Sequence, residues 1–113
     1  EIGLKYCMQD EEVYREILTA FKDSSEEKMK EIESAYSHSD FAKYRLYVHG
    51  LKTTSLTIGA VQLSEDAKKM EHAARRIVEG VEKEEAMQYI RYNHEAFVRL
   101  FSKAVKEASE YVQ

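Results

Sequence analysis

The chain has 113 residues, of which 34% are charged and 43% hydrophobic, and its formal net charge is −4. This length suits a single core, so we expect residues 1–113 to form one domain. Charges of both signs are interleaved without a basic stripe, which argues against nucleic-acid binding. The one cysteine, Cys7, cannot form an internal disulfide, and no apolar run approaches the length of a bilayer span. We therefore expect a cytoplasmic protein without membrane insertion.

Proline is absent and the four glycines are widely separated, at positions 3, 50, 59 and 80. Long helices are therefore expected. After a lead-in over residues 1–9, Asp10 is the predicted N-cap of a first helix that carries apolar residues as far as Phe21. The sequence Asp-Ser-Ser at 23–25 predicts a break, and a second, more polar helix is expected to end near residues 37–39. The first residue is Glu1 rather than methionine, which leaves open a processed protein or a piece of a larger one.

Three further helices follow. Asp40 is the predicted N-cap of the third, whose expected core positions are spaced by three and four residues: Phe41, Tyr44, Val48, Leu51, Ser55 and Ile58. The fourth helix is predicted to begin at a Ser64 cap, to stop near Gly80 and to bury a stripe that ends at Val81. The fifth is predicted over about residues 83–111. Short connections favour antiparallel neighbours, so the predicted fold is all-α: an antiparallel up-and-down four-helix bundle with an additional short N-terminal helix.

The third helix carries a histidine away from its core side. With about 100° per residue, His49 lies roughly 130° from the centre of the core stripe and Lys52 about 70° on the same side. An uncharged strip shares this face, formed by Ala42, Leu46, Thr53, Leu56 and Ala60. Exposed strips of this kind are typical of docking surfaces. The alternative is that the N-terminal helix covers part of the strip, above all Leu46.

An exposed imidazole next to a lysine is suited to carrying a phosphoryl group. Exposed imidazoles are mostly neutral at pH 7, so a ring nitrogen has a free lone pair that can attack phosphorus. The resulting phosphoryl oxygens need a nearby cation, and Lys52 lies one helical turn away. The sequence shows no acidic cluster for magnesium, so a partner is expected to supply the metal.

The residues His49, Leu51 and Lys52, followed by Gly59 and Ala60, resemble the phosphorylation motif of the histidine-containing phosphotransfer (HPt) family. The stretches 2–4, 10–21 and 70–75 are also similar to HPt segments. The resemblance implies that His49 is phosphorylated and that Lys52 orients the phosphate. It also implies that Leu51 and Gly59 are structural, with Gly59 at the close approach where the helix ends. Thr53 stands where the family usually has glycine, and this larger side chain is expected either to slow transfer or narrow partner choice, or to hydrogen-bond the phosphoryl oxygens.

The resemblance further implies a carrier without a cofactor, and not an enzyme. It would be a monomer that works with a sensor or hybrid histidine kinase and with the receiver domain of a response regulator. Leu46, Thr53, Leu56 and Ala60 are the expected docking residues. A free protein and a module of a hybrid kinase both remain open, and so does the direction of phosphoryl flow. The alternative function is a helical adaptor that binds a partner through the same strip without phosphate chemistry.

The remaining polar candidates are interpreted as structural or solvated. His38, His72 and His94 are expected at the surface or at helix boundaries, and their spacing predicts no metal site. Glu71 could approach His49 or Lys52 across a helix pair, but a solvated glutamate is the preferred interpretation. Glu-x-x-His pairs, which a metal-dependent bundle enzyme would need, do not occur in the sequence.

Overall fold

The computed structural model describes residues 10–113, which form four helices and no strand. They are α1 (Glu11–Ser37), α2 (Phe41–Thr57), α3 (Val61–Glu79) and α4 (Lys83–Val112). The predicted lead-in over residues 1–9 and the likeness at 2–4 lie outside the described residues. The all-helical prediction is confirmed.

The start of α1 was predicted correctly, but the predicted break was wrong. Asp10 is the N-cap, and its Oδ1 accepts a hydrogen bond from the backbone N–H of Val13 at 3.1 Å. The helix then continues without interruption through residues 23–25. The hydroxyls of Ser24 and Ser25 donate to carbonyls three residues earlier in the same helix, and Ser25 is buried. The separate short N-terminal helix is therefore part of one 27-residue helix.

The core stripe of α2 is confirmed at every predicted position. Asp40 caps the helix through a hydrogen bond from the N–H of Lys43, and the predicted core residues from Phe41 to Ile58 are buried. Gly59 lies just beyond the helix with φ +84°. This left-handed backbone is one that glycine adopts without steric cost, and it lets the chain reverse into α3.

Two expectations for α3 are wrong. The helix begins at Val61 after Ala60, which makes no side-chain cap, so Ser64 lies inside the first turn. Its hydroxyl donates to the carbonyl of Lys52 on α2 at 3.0 Å, which is why a serine is buried here. The helix ends at Gly80 as predicted, with φ +75°, but Val81 beyond it is 50% exposed because the chain has already left the helical path.

The helices pack as a ring, in which α1 contacts α2 and α4, and α3 contacts α2 and α4. Side chains from all four helices form one core, and its largest fully buried members are Tyr44, Phe97, Phe101, Ile32, Leu51, Leu63, Met70 and Ile90. Within residues 10–113, no helix is long and apolar enough to span a membrane. The bundle thus holds α2 and α3 side by side.

Candidate functional site

His49 lies on the outer side of α2, where the helical period predicts it. Its neighbours in the chain on the core side, Val48 and Leu51, are completely buried, whereas 58% of the His49 side chain is exposed. The imidazole is thus anchored on a rigid, well-packed helix and remains accessible to a partner.

A carboxylate on α3 links His49 to Lys52. Oε2 of Glu71 lies 2.6 Å from Nδ1 of His49, and Oε1 accepts a hydrogen bond from Nζ of Lys52 at 2.9 Å. Only 13% of the Glu71 side chain is exposed, and the Lys52 side chain is also largely covered, at 29%. The interpretation of Glu71 as a solvated glutamate is therefore wrong.

The charge state of Glu71 follows from these contacts. Burial raises the pKa of this carboxyl, but hydrogen bonds from Lys52 and His49 and their nearby charge lower it more strongly, so that the pKa lies below its ordinary value of 4.5. Glu71 is therefore ionised at neutral pH. An ionised carboxylate only accepts hydrogen bonds, so Nδ1 of His49 must carry the proton in this contact.

The turn between α2 and α3 explains why these residues meet. Ala60 donates its N–H to the carbonyl of Ser55, and Ser64 donates to the carbonyl of Lys52, so the two helices are fixed to each other near the motif. Glu71 lies two turns further along α3 and faces His49 and Lys52 across the helix pair. The predicted structural residues have the expected positions, since Leu51 is buried and Gly59 makes the turn.

The uncharged strip is accessible on α2. Leu46 is 67% exposed and Leu56 39%, Thr53 is also exposed, and Ala60 is half-buried. Since Leu46 is exposed, none of the helices within residues 10–113 covers it, and for this part of the chain the alternative in which the N-terminal helix packs over Leu46 is wrong.

The other histidines differ from His49 in their surroundings. The expectation that His94 is a surface or boundary residue is wrong, because it is 5% exposed and lies between Glu33 and Tyr44. His72 is exposed, and its Nδ1 lies 3.0 Å from a guanidinium nitrogen of Arg75. A guanidinium can only donate, so Nδ1 of His72 is an acceptor, in contrast to Nδ1 of His49. His38, also exposed, contacts the carbonyl of Ser34 at the end of α1.

Within residues 10–113, no cluster of three or more histidine, cysteine, aspartate or glutamate side chains is arranged to hold a metal ion. The geometry around His49 is instead that of one imidazole, one ammonium and one carboxylate.

Comparison with protein families identifies the family of this helical chain. The family model of the Hpt domain matches residues 16–108, which is most of the chain. The protein therefore belongs to the Hpt domain family, whose members have a phosphotransfer role in two-component signalling with histidine kinases and receiver domains. These domains are phosphoryl carriers and generally not enzymes. No curated protein and no solved structure shows significant similarity to the chain.

Proposed function

We propose that the protein carries a phosphoryl group on Nε2 of His49, between a histidine kinase or receiver domain and the aspartate of a response regulator. The observation that supports this most directly is the contact of Glu71 with both His49 and Lys52, at 2.6 Å and 2.9 Å, beside an imidazole that is 58% exposed. An idle surface histidine would not need a nearly buried carboxylate from a neighbouring helix.

The contact with Glu71 selects the reactive nitrogen. With the proton on Nδ1, the lone pair of the neutral ring is on Nε2, the nitrogen not engaged by Glu71. In the transfer step Nε2 forms a bond to phosphorus while the bond from phosphorus to the donor oxygen breaks, and that oxygen leaves with the electron pair. The phosphorylated ring keeps its Nδ1 proton and becomes cationic. The Glu71 carboxylate then stabilises the positive charge that develops on the ring.

Lys52 is the proposed phosphate-orienting residue. Its ammonium has three donors and uses one of them on Oε1 of Glu71. The other two are available for phosphoryl oxygens on His49, one helical turn away. Glu71 therefore acts as a positioning residue for both the imidazole and the ammonium.

The proposed partner supplies the metal ion for the transfer step. We propose that the receiver or kinase brings the magnesium ion that phosphoryl transfer needs and docks on Leu46, Thr53, Leu56 and Ala60. We further propose that the carrier is a cytoplasmic monomer and that its own four helices form an antiparallel up-and-down bundle.

Phosphotransfer from a labelled donor tests the proposal. A kinase or receiver phosphorylated with labelled phosphate should transfer an acid-labile, base-stable label to the wild-type protein and none to His49→Gln. His38→Gln is the matched control, because His38 is also exposed but lies at the end of α1, away from His49, and the variant should be labelled normally. A label that persists in His49→Gln would place the acceptor elsewhere. Receiver binding without any labelling would favour the adaptor function instead.

A further inference from the structure

A groove rich in positive charge adjoins the site of His49. It encloses about 750 Å³, includes Lys52 and Glu71, and extends along α3 to Tyr89 on α4. Five lysine and arginine side chains line it against two glutamates, although the whole chain has a net charge of −4. The five cations of this cationic groove are Lys52, Lys68, Lys69, Arg75 and Arg76.

Three of these cations have no carboxylate partner among residues 10–113, although Arg75 also contacts Nδ1 of His72. Arg76 pairs with Glu82 and Lys52 with Glu71, but Lys68, Lys69 and Arg75 are exposed and make no ion pair with a carboxylate there. Glutamates at helical spacing are present, because Glu65 precedes Lys68 by three residues and Glu79 follows Arg75 by four. Neither forms an ion pair within the described chain, so ion pairing with carboxylates along the helix does not account for these cations.

We propose that the cationic groove docks an acidic protein surface on the phosphoryl-transferring partner. This inference rests on the proposed function. A protein that holds a phosphoryl group and a magnesium ion at an aspartate presents that aspartate together with the one or two carboxylates that bind the metal, so its contact surface carries negative charge. The uncharged strip on α2 would contact the apolar part of such a surface, while the groove on α3 contacts its acidic rim.

The cationic groove is expected to affect the association of the two proteins more than the phosphoryl-transfer step itself. Charges around a docking site steer association and fix the orientation of the partners, and their effect decreases as salt screens them. Lys68, Lys69 and Arg75 do not contact His49, so they are expected to alter the association rate and not the reactivity of the imidazole.

The test uses a receiver domain from the same genome, loaded with Mg²⁺ and phosphorylated by acetyl phosphate. Its association rate and kcat/KM for transfer to the full chain are measured between about 50 mM and 500 mM NaCl. Lys68→Glu/Arg75→Glu should lower both by roughly tenfold or more at low salt and should largely remove the salt dependence. Lys30→Glu/Lys106→Glu is the matched control, because it makes the same change in charge at exposed lysines that line no part of the groove. It should change both quantities by less than about threefold.

The possible results distinguish failure of the groove proposal from failure of the proposed function. Normal labelling of His49, with the groove variant as fast and as salt-dependent as the control, would overturn the groove proposal alone. If receiver binding depends on the groove but His49 is never labelled, the docking proposal stands and the phosphoryl-transfer proposal is rejected.

Titration of the ¹⁵N-labelled protein with ATP·Mg²⁺ and with inorganic phosphate gives a further check. If these small anions saturate the groove while the receiver leaves its resonances unchanged, the groove is a small-anion site and the docking proposal is wrong.

Discussion

Glu71 on α3 lies 2.6 Å from Nδ1 of His49 on α2, and this contact fixes which imidazole nitrogen carries the proton. Without an acceptor at Nδ1, a neutral histidine in water favours the tautomer with its proton on Nε2, which has no lone pair at that nitrogen for attack on phosphorus. The position of the ring proton on His49 therefore depends on a residue of a different helix, 22 positions away in the chain.

We expect Glu71→Ala to slow phosphorylation of His49 by roughly ten to a hundredfold, the effect of a charge-assisted hydrogen bond of about 1.5–3 kcal/mol. Glu71→Gln should lose less, because its amide oxygen can accept from either His49 or Lys52. The ¹⁵N resonances of the His49 ring should report the change of tautomer in Glu71→Ala.

Glu79→Ala is the control for Glu71→Ala, since it removes an exposed glutamate from the same helix without touching His49. An unchanged transfer rate in Glu71→Ala, together with wild-type ring resonances, would show that the contact does not control the tautomer.

Lys52→Ala should also slow transfer by roughly ten to a hundredfold, and it should shorten the lifetime of phosphohistidine, while some labelling remains. The reason is that the ammonium neutralises phosphoryl oxygens without bonding to phosphorus. Lys52→Arg should recover part of the rate, because a planar guanidinium cannot reproduce the position of the ammonium. Time courses at matched donor concentration measure this, and wild-type kinetics in Lys52→Ala would reject the orienting role.

The sequence predicts features that depend on one helix more reliably than features that depend on two. The burial of the α2 stripe and the exposure of His49 follow from the helical period alone, and both agree with the structure. Whether Glu71 reaches His49 depends on how α3 is rotated against α2, which a single chain pattern does not specify. For the same reason the sequence alone places His94 near the surface, although α1 and α2 supply its two hydrogen-bonding partners.

The predicted break at residues 23–25 shows how packing overrides local preference. Aspartate and serine compete with helical hydrogen bonds and often mark helix ends. Here the serine hydroxyls bond to carbonyls within the helix, and Ser25 fits into the buried side of the bundle. Burial of apolar residues on both sides of the segment, such as Phe21 and Ile32, favours one continuous helix.

Leu56→Asp should weaken receiver binding by roughly tenfold or more without unfolding the protein, if the uncharged strip is the docking surface. A carboxylate there would have to be desolvated against the partner. Val78→Asp is the control, because Val78 is similarly exposed, at 48% against 39% for Leu56, but lies on α3 outside the strip. Receiver affinity by titration calorimetry and helicity by circular dichroism give the comparison. Equal affinities for wild type and Leu56→Asp would exclude Leu56 from the interface.

Hydrogen bonds of the buried His94 ring connect α1, α2 and α4. Nε2 of His94 contacts Glu33 at 2.5 Å, Nδ1 lies 2.8 Å from the hydroxyl of Tyr44, and the ring stacks on Tyr36 at 3.7 Å. Burial, assisted by Tyr36 and Glu33, raises the pKa of Tyr44 far above its ordinary value, so its hydroxyl keeps the proton that it donates to His94.

Tyr44→Phe leaves Nδ1 of His94 without a donor and should lower the free energy of unfolding by about 1–3 kcal/mol. Tyr92→Phe, at an 88% exposed position, should change it little. Urea unfolding measures both variants, and transfer to His49 should stay at the wild-type rate in the folded Tyr44→Phe protein. Equal stability of the two variants would mean that the hydrogen bond between Tyr44 and His94 contributes nothing to the fold.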